Sequence, residues 1–118
     1  MRVSVAMAVY QGGAYLCEQM ESILPQLGAD DELVVSLDCA DTESEATLAP
    51  YLADSHVKCV RAAERGVLAN FENALRHCEG EYLFLCDQDD VWAPNKVREV
   101  LACFEETDAS FISSGVRR

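Results

Sequence analysis

Four short and almost uninterrupted apolar runs pace this chain: VSVAMAV (3–9), ELVVSL (32–37), VKCV (57–60) and YLFLC (82–86). Strands that face water on one side alternate apolar and polar residues, so runs without alternation belong to strands covered on both faces. Between them the period changes to that of a helix. Leu16, Met20, Ile23, Leu24 and Leu27 follow the first run, with Pro25 placed to kink or end the helix. Thr42 and Glu45 form a capping-box pattern ahead of Leu48 and Leu52. Leu68, Phe71, Leu75 and Cys78 mark a third helix with Gly80 as its stop, and Val97, Val100, Leu101 and Phe104 mark a fourth after Pro94. SFIS (110–113) reads as a fifth strand.

Strand and helix alternating in this way predict an α/β fold: one Rossmann-like domain over residues 1–118, a mostly parallel sheet with helices on both faces. Such sheets bind ligands beyond the carboxyl ends of their strands. The polar residues there are Tyr10, Asp38, Asp41, Arg61, Arg65, Asp87, Asp89 and Asp90.

Charge narrows the partners. At net −12 and a pI near 4.3 the chain has no basic stripe for a nucleic-acid backbone and no polybasic anchor for an anionic membrane. No apolar run approaches the roughly 20 residues of a membrane span. Val3 to Val9 after Arg2 imitates the start of a signal peptide, but Gln11-Gly12-Gly13 ends it after one strand length. A cytoplasmic protein is expected, at most peripheral on the inner membrane face. Cysteines 17, 39, 59, 78, 86 and 103 include no CxxC pair and lie mostly in apolar patterns, which predicts buried free thiols rather than disulfides or a zinc site with His56 or His77.

Asp87-Gln88-Asp89 leaves the fourth strand with two carboxylates on alternate positions. Such close like charges repel unless a cation or hydrogen bonds compensate, and a set of oxygen ligands favours Mg²⁺ or Mn²⁺. The bland alternative is an acidic surface turn. Asp38 can accept the imide N–H of uracil or thymine, and Tyr10 can stack on a base. Their bland alternatives are a turn or cap residue and a half-buried aromatic.

The segments VSVAMAVYQGGAYLCEQMESIL, DELVVSLDCADTES and RGVLANFENALRHCEGEYLFLCDQDDVWAPNKV together resemble the nucleotide-sugar half of a family 2 glycosyltransferase of the A-type fold. FLCDQDDVWAPNK resembles the rhamnosyltransferase-like branch. The resemblance implies transfer from a UDP- or dTDP-sugar, dTDP-rhamnose among them, to a glycan or lipid-linked acceptor in polysaccharide biosynthesis. By that similarity Tyr10 and Asp38 contact the pyrimidine, Asp87 lies near the ribose and metal, and Asp89 binds the metal on the diphosphate. Arg65 approaches the donor, and Val9 and Gln88 complete the donor-binding set.

Two departures stand out. The family commonly carries paired acids after the second strand, whereas here Leu37 precedes Asp38. The acceptor half and the general base would lie past Arg118, so an incomplete donor-binding portion is expected, with an open strand edge prone to self-association. Two rival readings remain. Asp87-x-Asp89-x-Val91 also fits the DxDx[TV] pattern of haloacid-dehalogenase-like phosphatases, although three strand–helix units precede it here. A non-catalytic nucleotide-sugar-binding remnant is the other.

Overall fold

The structure is a computed structural model that describes residues 2–11, 15–39, 41–86 and 91–107, with side chains to residue 102. Four strands form one sheet: β1 (Val3–Val9), β2 (Glu32–Leu37), β3 (Val57–Arg61) and β4 (Tyr82–Cys86). Their order is β3-β2-β1-β4 and every described pairing is parallel. Val5 of the central strand sits beside Leu33 on one side and Phe84 on the other. Four helices connect and follow the strands: α1 (Tyr15–Ile23), α2 (Glu43–Leu48), α3 (Val67–Arg76) and α4 (Lys96–Thr107).

Residue parity sorts the core into two layers. Val3, Val5, Met7 and Val9 of β1, Leu33, Val35 and Leu37 of β2, and Phe84 and Cys86 of β4 pack with Leu16, Met20 and Ile23 of α1, Leu48 of α2, and Val97 and Val100 of α4. The opposite face carries Ala6 and Val34, covered by Ala74 of α3 with Leu75, Cys78, Val60 and Leu85 around them. Helices on both faces explain why β1 and β2 are buried along their whole length, and why neither strand shows the alternation of a half-wet sheet.

Local signals needed more correction. α1 ends at Ile23, and Pro25 lies in a following 3₁₀ turn, Leu24–Gln26, as its missing N–H requires. The capping box does not form, since the Thr42 side chain caps nothing. Asp41 takes the task, its Oδ1 accepting the Ser44 N–H at 3.0 Å, while Glu45 turns to Arg61. Leu68 is 77 % exposed. The inward face of α3 is set by Asn70 and Ala74, because Asn70 is hydrogen-bonded inside: its amide donates to the Val9 carbonyl and its Oδ1 accepts from Ser36 Oγ. Gly80 lies beyond the α3 cap at His77 and does not close the helix; it packs on β1. The SFIS segment lies outside the described residues.

Cys17, Cys39, Cys59, Cys78 and Cys86 are free thiols, as expected, but only Cys86 is fully buried and the other four are half-buried. Among the described residues no cluster of three or more His, Cys, Asp or Glu is placed to hold a metal, and no helix is long and apolar enough to cross a membrane.

Candidate donor site at the carboxyl ends of the strands

Parallel strands deliver all their carboxyl ends to one rim, and three loops meet there. Val9 ends β1 fully buried, and its carbonyl accepts the Asp38 N–H at 3.0 Å and the Asn70 side-chain amide at 3.1 Å. Those two bonds tie the loop after β1 to the loop after β2 and to the first turn of α3. Tyr10 follows, 47 % exposed at the rim. Gln11 takes φ 51°, an uncommon left-handed conformation for a residue with a side chain. Its N–H is held by Asp41 Oδ2 at 2.7 Å, which gives the turn a compensating bond.

Asp38 is buried, 5 % exposed, and one carboxylate oxygen lies 3.3 Å from the Gly66 N–H. Gly66 has φ 111°, a backbone conformation that L side chains rarely adopt, and a Cβ there would meet open space. Glycine is therefore required for the backbone path rather than for room. It turns the chain into α3 with its N–H aimed at Asp38.

Arg61 holds the loop from below. Its Nη1 donates to the Asp38 carbonyl at 3.0 Å and the Asp41 carbonyl at 2.9 Å, while Nη2 pairs with Glu45 at 2.7 Å. Burial pushes the Asp41 carboxyl up, but the Ser44 hydroxyl and amide, the Gln11 amide and the Arg61 charge outweigh it. They hold the group below its ordinary value. The Asp41 carboxylate is thus a structural anion that receives one N–H from the loop after β1 and one from the first turn of α2.

The rim therefore brings Val9, Tyr10 and Asp38 together. Arg65 is exposed immediately before Gly66, one residue from the Asp38 contact. Asp87, Gln88 and Asp89, with Asp90, lie outside the described residues. Cys86, just before them, pairs with Met7, two residues from Val9. Asp41 and Arg61 were legible as rim residues but not as the clamp they form. Asn70 was missed, although two asparagines three residues apart in α3, Asn70 and Asn73, both bonded to Ser36 of β2, were its signal.

The opposite end of the sheet has a cleft of about 760 Å³ lined by Arg2, Glu32, His56, Lys58 and Glu79 among others. There Lys58 lies 3.2 Å from Glu79 and 3.5 Å from Glu32, and His56 bonds Asp54 at 2.7 Å.

Comparison with known proteins gives the family. The family model for glycosyl transferase family 2 matches residues 4–118. An uncharacterized glycosyltransferase of Nostoc is 28 % identical over 111 residues, covering 92 % of this chain and 34 % of that protein. The dTDP-rhamnosyl transferase RfbG of Shigella flexneri is 26 % identical over 118 residues, covering 93 % of this chain and 40 % of RfbG. Among solved structures, Staphylococcus aureus TarS superposes with a TM-score of 0.80 at 23 % identity, over 92 % of this chain and 33 % of that one. The mannosyltransferase PcManGT of Pyrobaculum calidifontis, in complex with GDP-Man and Mn²⁺, gives 0.74 at 25 % identity over 87 % of this chain and 32 % of its own. The chain spans about a third to two-fifths of the length of these relatives.

Proposed function

The chain belongs to glycosyl transferase family 2, in the amino-terminal half of the A-type fold, and from that premise we propose that it forms the donor-binding portion of an enzyme that moves a sugar from a UDP- or dTDP-sugar to a glycan or lipid-linked acceptor. The observation that carries the reading is the Val9–Asp38–Gly66 junction: a buried Asp38 bonded to Val9, the residue before exposed Tyr10, at the rim where parallel sheets take their ligands. The likeness to RfbG supports a dTDP-sugar such as dTDP-rhamnose among the candidate donors.

In this proposal Tyr10 stacks on the pyrimidine and the Asp38 carboxylate accepts its imide N–H, with Val9 as the floor. Arg61 and Asp41 keep Asp38 in place without touching the nucleotide. Arg65 extends toward the diphosphate and Gln88 toward the donor. Asp87 and Asp89 supply oxygen ligands for Mg²⁺ or Mn²⁺, a donor set that suits either ion. When bound, the cation offsets charge on the departing nucleoside diphosphate. None of these residues is assigned to deprotonate the acceptor. The phosphatase reading of Asp87 and Asp89 is not favoured, since the family match runs through them and along the rest of the chain.

The base contact makes a testable distinction. Neutral cytosine has no N–H at N3, so CDP offers the Asp38 carboxylate no imide donor. A hydrogen bond to a charged group is worth about 1.5–3 kcal/mol, so UDP and dTDP are expected to bind about tenfold or more tighter than CDP. Titration calorimetry with the three nucleotides checks this, and Asp38→Ala is expected to narrow the gap. Equal affinities in the parent chain would remove Asp38 from base recognition.

A further inference from the structure

Asn70, 2 % exposed in the first turn of α3, is one link in a line of hydrogen bonds that runs from that helix through β2 to the rim. Asn73 Nδ2 donates to Ser36 Oγ at 3.0 Å, Ser36 Oγ donates to Asn70 Oδ1 at 2.6 Å, and Asn70 Nδ2 donates to the Val9 carbonyl at 3.1 Å. The far end fixes the direction of the whole line, because a carbonyl only accepts. With its NH₂ turned to Val9, Asn70 presents Oδ1 to Ser36. The single hydroxyl proton of Ser36 is committed there, and its oxygen remains to accept from Asn73.

Val9 and Gly66 both hold Asp38, and Asn70 bonds both of them. The Val9 carbonyl takes the Asp38 N–H at 3.0 Å, and the Gly66 N–H faces Asp38 Oδ2 at 3.3 Å. Asn70 reaches Val9 through its side-chain amide and Gly66 through its own backbone N–H, which donates to the Gly66 carbonyl at 3.0 Å. The backbone bond is the ordinary helical one and survives any side chain at position 70. The bond to Val9 belongs to the amide.

We propose that Asn70 is a positioning residue for base selection: it sets the Asp38 carboxylate in register with the end of β1, so that the site takes a uracil or thymine nucleotide in preference to a cytosine one. The inference rests on the reading of Asp38 as the acceptor of the pyrimidine imide N–H. A hydrogen bond to a carboxylate is short, about 2.7–2.9 Å, and weakens steeply as its angle departs from linear. Stacking on Tyr10 is tolerant of base identity and does not need that register. Loss of the Asn70 amide therefore weakens UDP binding more than CDP binding.

The test is titration calorimetry of UDP and CDP with the whole chain, with circular dichroism and thermal melting of each variant alongside. The parent is expected to prefer UDP about tenfold or more, and folded Asn70→Ala and Asn70→Leu to prefer it by about threefold or less. A merely structural role lowers the melting temperature, or weakens both nucleotides alike, and leaves the ratio unchanged. A parent-like ratio in a folded variant overturns the proposal. The parent supplies a second readout, because linkage is reciprocal: a nucleotide that depends on the Asn70–Val9 bond strengthens it. With UDP and CDP each at the same multiple of its dissociation constant, general stabilisation is equal. Hydrogen exchange of the Asn70 side-chain amide, followed by nuclear magnetic resonance, is then expected to be slower with UDP. Equal exchange in the two complexes overturns the proposal even if neither variant folds. Equal UDP and CDP affinities in the parent overturn the base reading of Asp38 and this inference with it, whereas failure confined to the later measurements leaves that reading standing.

Discussion

Asp89→Ala is expected to remove the whole of the Mn²⁺-dependent stabilisation that UDP or dTDP confers on the parent chain. A ligand present at about 100 times its dissociation constant stabilises a folded chain by about 2.7 kcal/mol. For a domain near this size that corresponds to a melting shift on the order of 10 °C. The effect should be large because a divalent cation held by few carboxylates loses both charge and geometry when one is deleted, and the diphosphate then meets an acidic mouth without its counter-charge. The loss should also be selective. In the proposed site Asp38 meets the base and not the cation, so any metal-free shift is expected to survive Asp89→Ala and to disappear in Asp38→Ala. Thermal melts with UDP, with and without Mn²⁺, show both. An unchanged metal-dependent shift in Asp89→Ala would take Asp89 out of the metal role.

The second large effect is on folding. A Cβ built on Gly80 would stand 2.6 Å from Ser4 Oγ, 2.8 Å from Ser4 N and 3.0 Å from the Arg2 carbonyl oxygen. Two of those atoms are backbone, one in β1 and one in the residue just before it, so they cannot rotate away. Relief requires the segment before β4 to lift off β1. That would loosen the Gly80 N–H bond to Ser4 Oγ at 2.7 Å, the Glu79 N–H bond to Glu32 at 2.6 Å, and the Glu81 and Tyr82 N–H bonds to the Arg2 carbonyl at 2.9 and 3.1 Å. Overpacking costs typically about 1–3 kcal/mol, and a buried group left unbonded a similar amount. Gly80→Ala is therefore expected to destabilise the chain by about 3 kcal/mol or more, read from urea unfolding. An alanine variant within about 0.5 kcal/mol of the parent, the range of ordinary surface substitutions, would show that this close approach is not rigid.

Gly80 also marks the boundary of what the sequence reveals. Its place after a helical pattern suggested a helix stop, whereas its requirement comes from a strand more than seventy residues away, a relation no local pattern carries. The strands were legible for the opposite reason. Burial on both faces erases alternation, and that erasure is itself a signal in β1 and β2. Strand direction then places Tyr10 and Asp38 on one rim without any knowledge of side-chain contacts. The helix faces were harder to read where polar groups go inside. Asn70 is buried because Val9 and Ser36 bond it, and hydrophobic periodicity assigned its place to Leu68, which faces solvent. Thr42 and Glu45 matched a capping box, yet Asp41, one residue earlier, was the better acceptor once Arg61 and Gln11 closed around it. The family resemblance, carried by an ordered series of short segments, agrees with the family match over residues 4–118. It reached further than periodicity because it names the family as well as the fold.

Whether this rim is where the donor's nucleotide binds can be read residue by residue. Amide chemical shifts of the isotope-labelled chain, followed during titration with UDP and Mg²⁺, are expected to move at Val9, Tyr10, Gln11, Asp38, Asp41 and Gly66. Those of His56, Val57 and Lys58, at the opposite end of the sheet, are expected to stay in place. Shifts confined to that opposite cleft, or none at saturating UDP and Mg²⁺, would contradict the account.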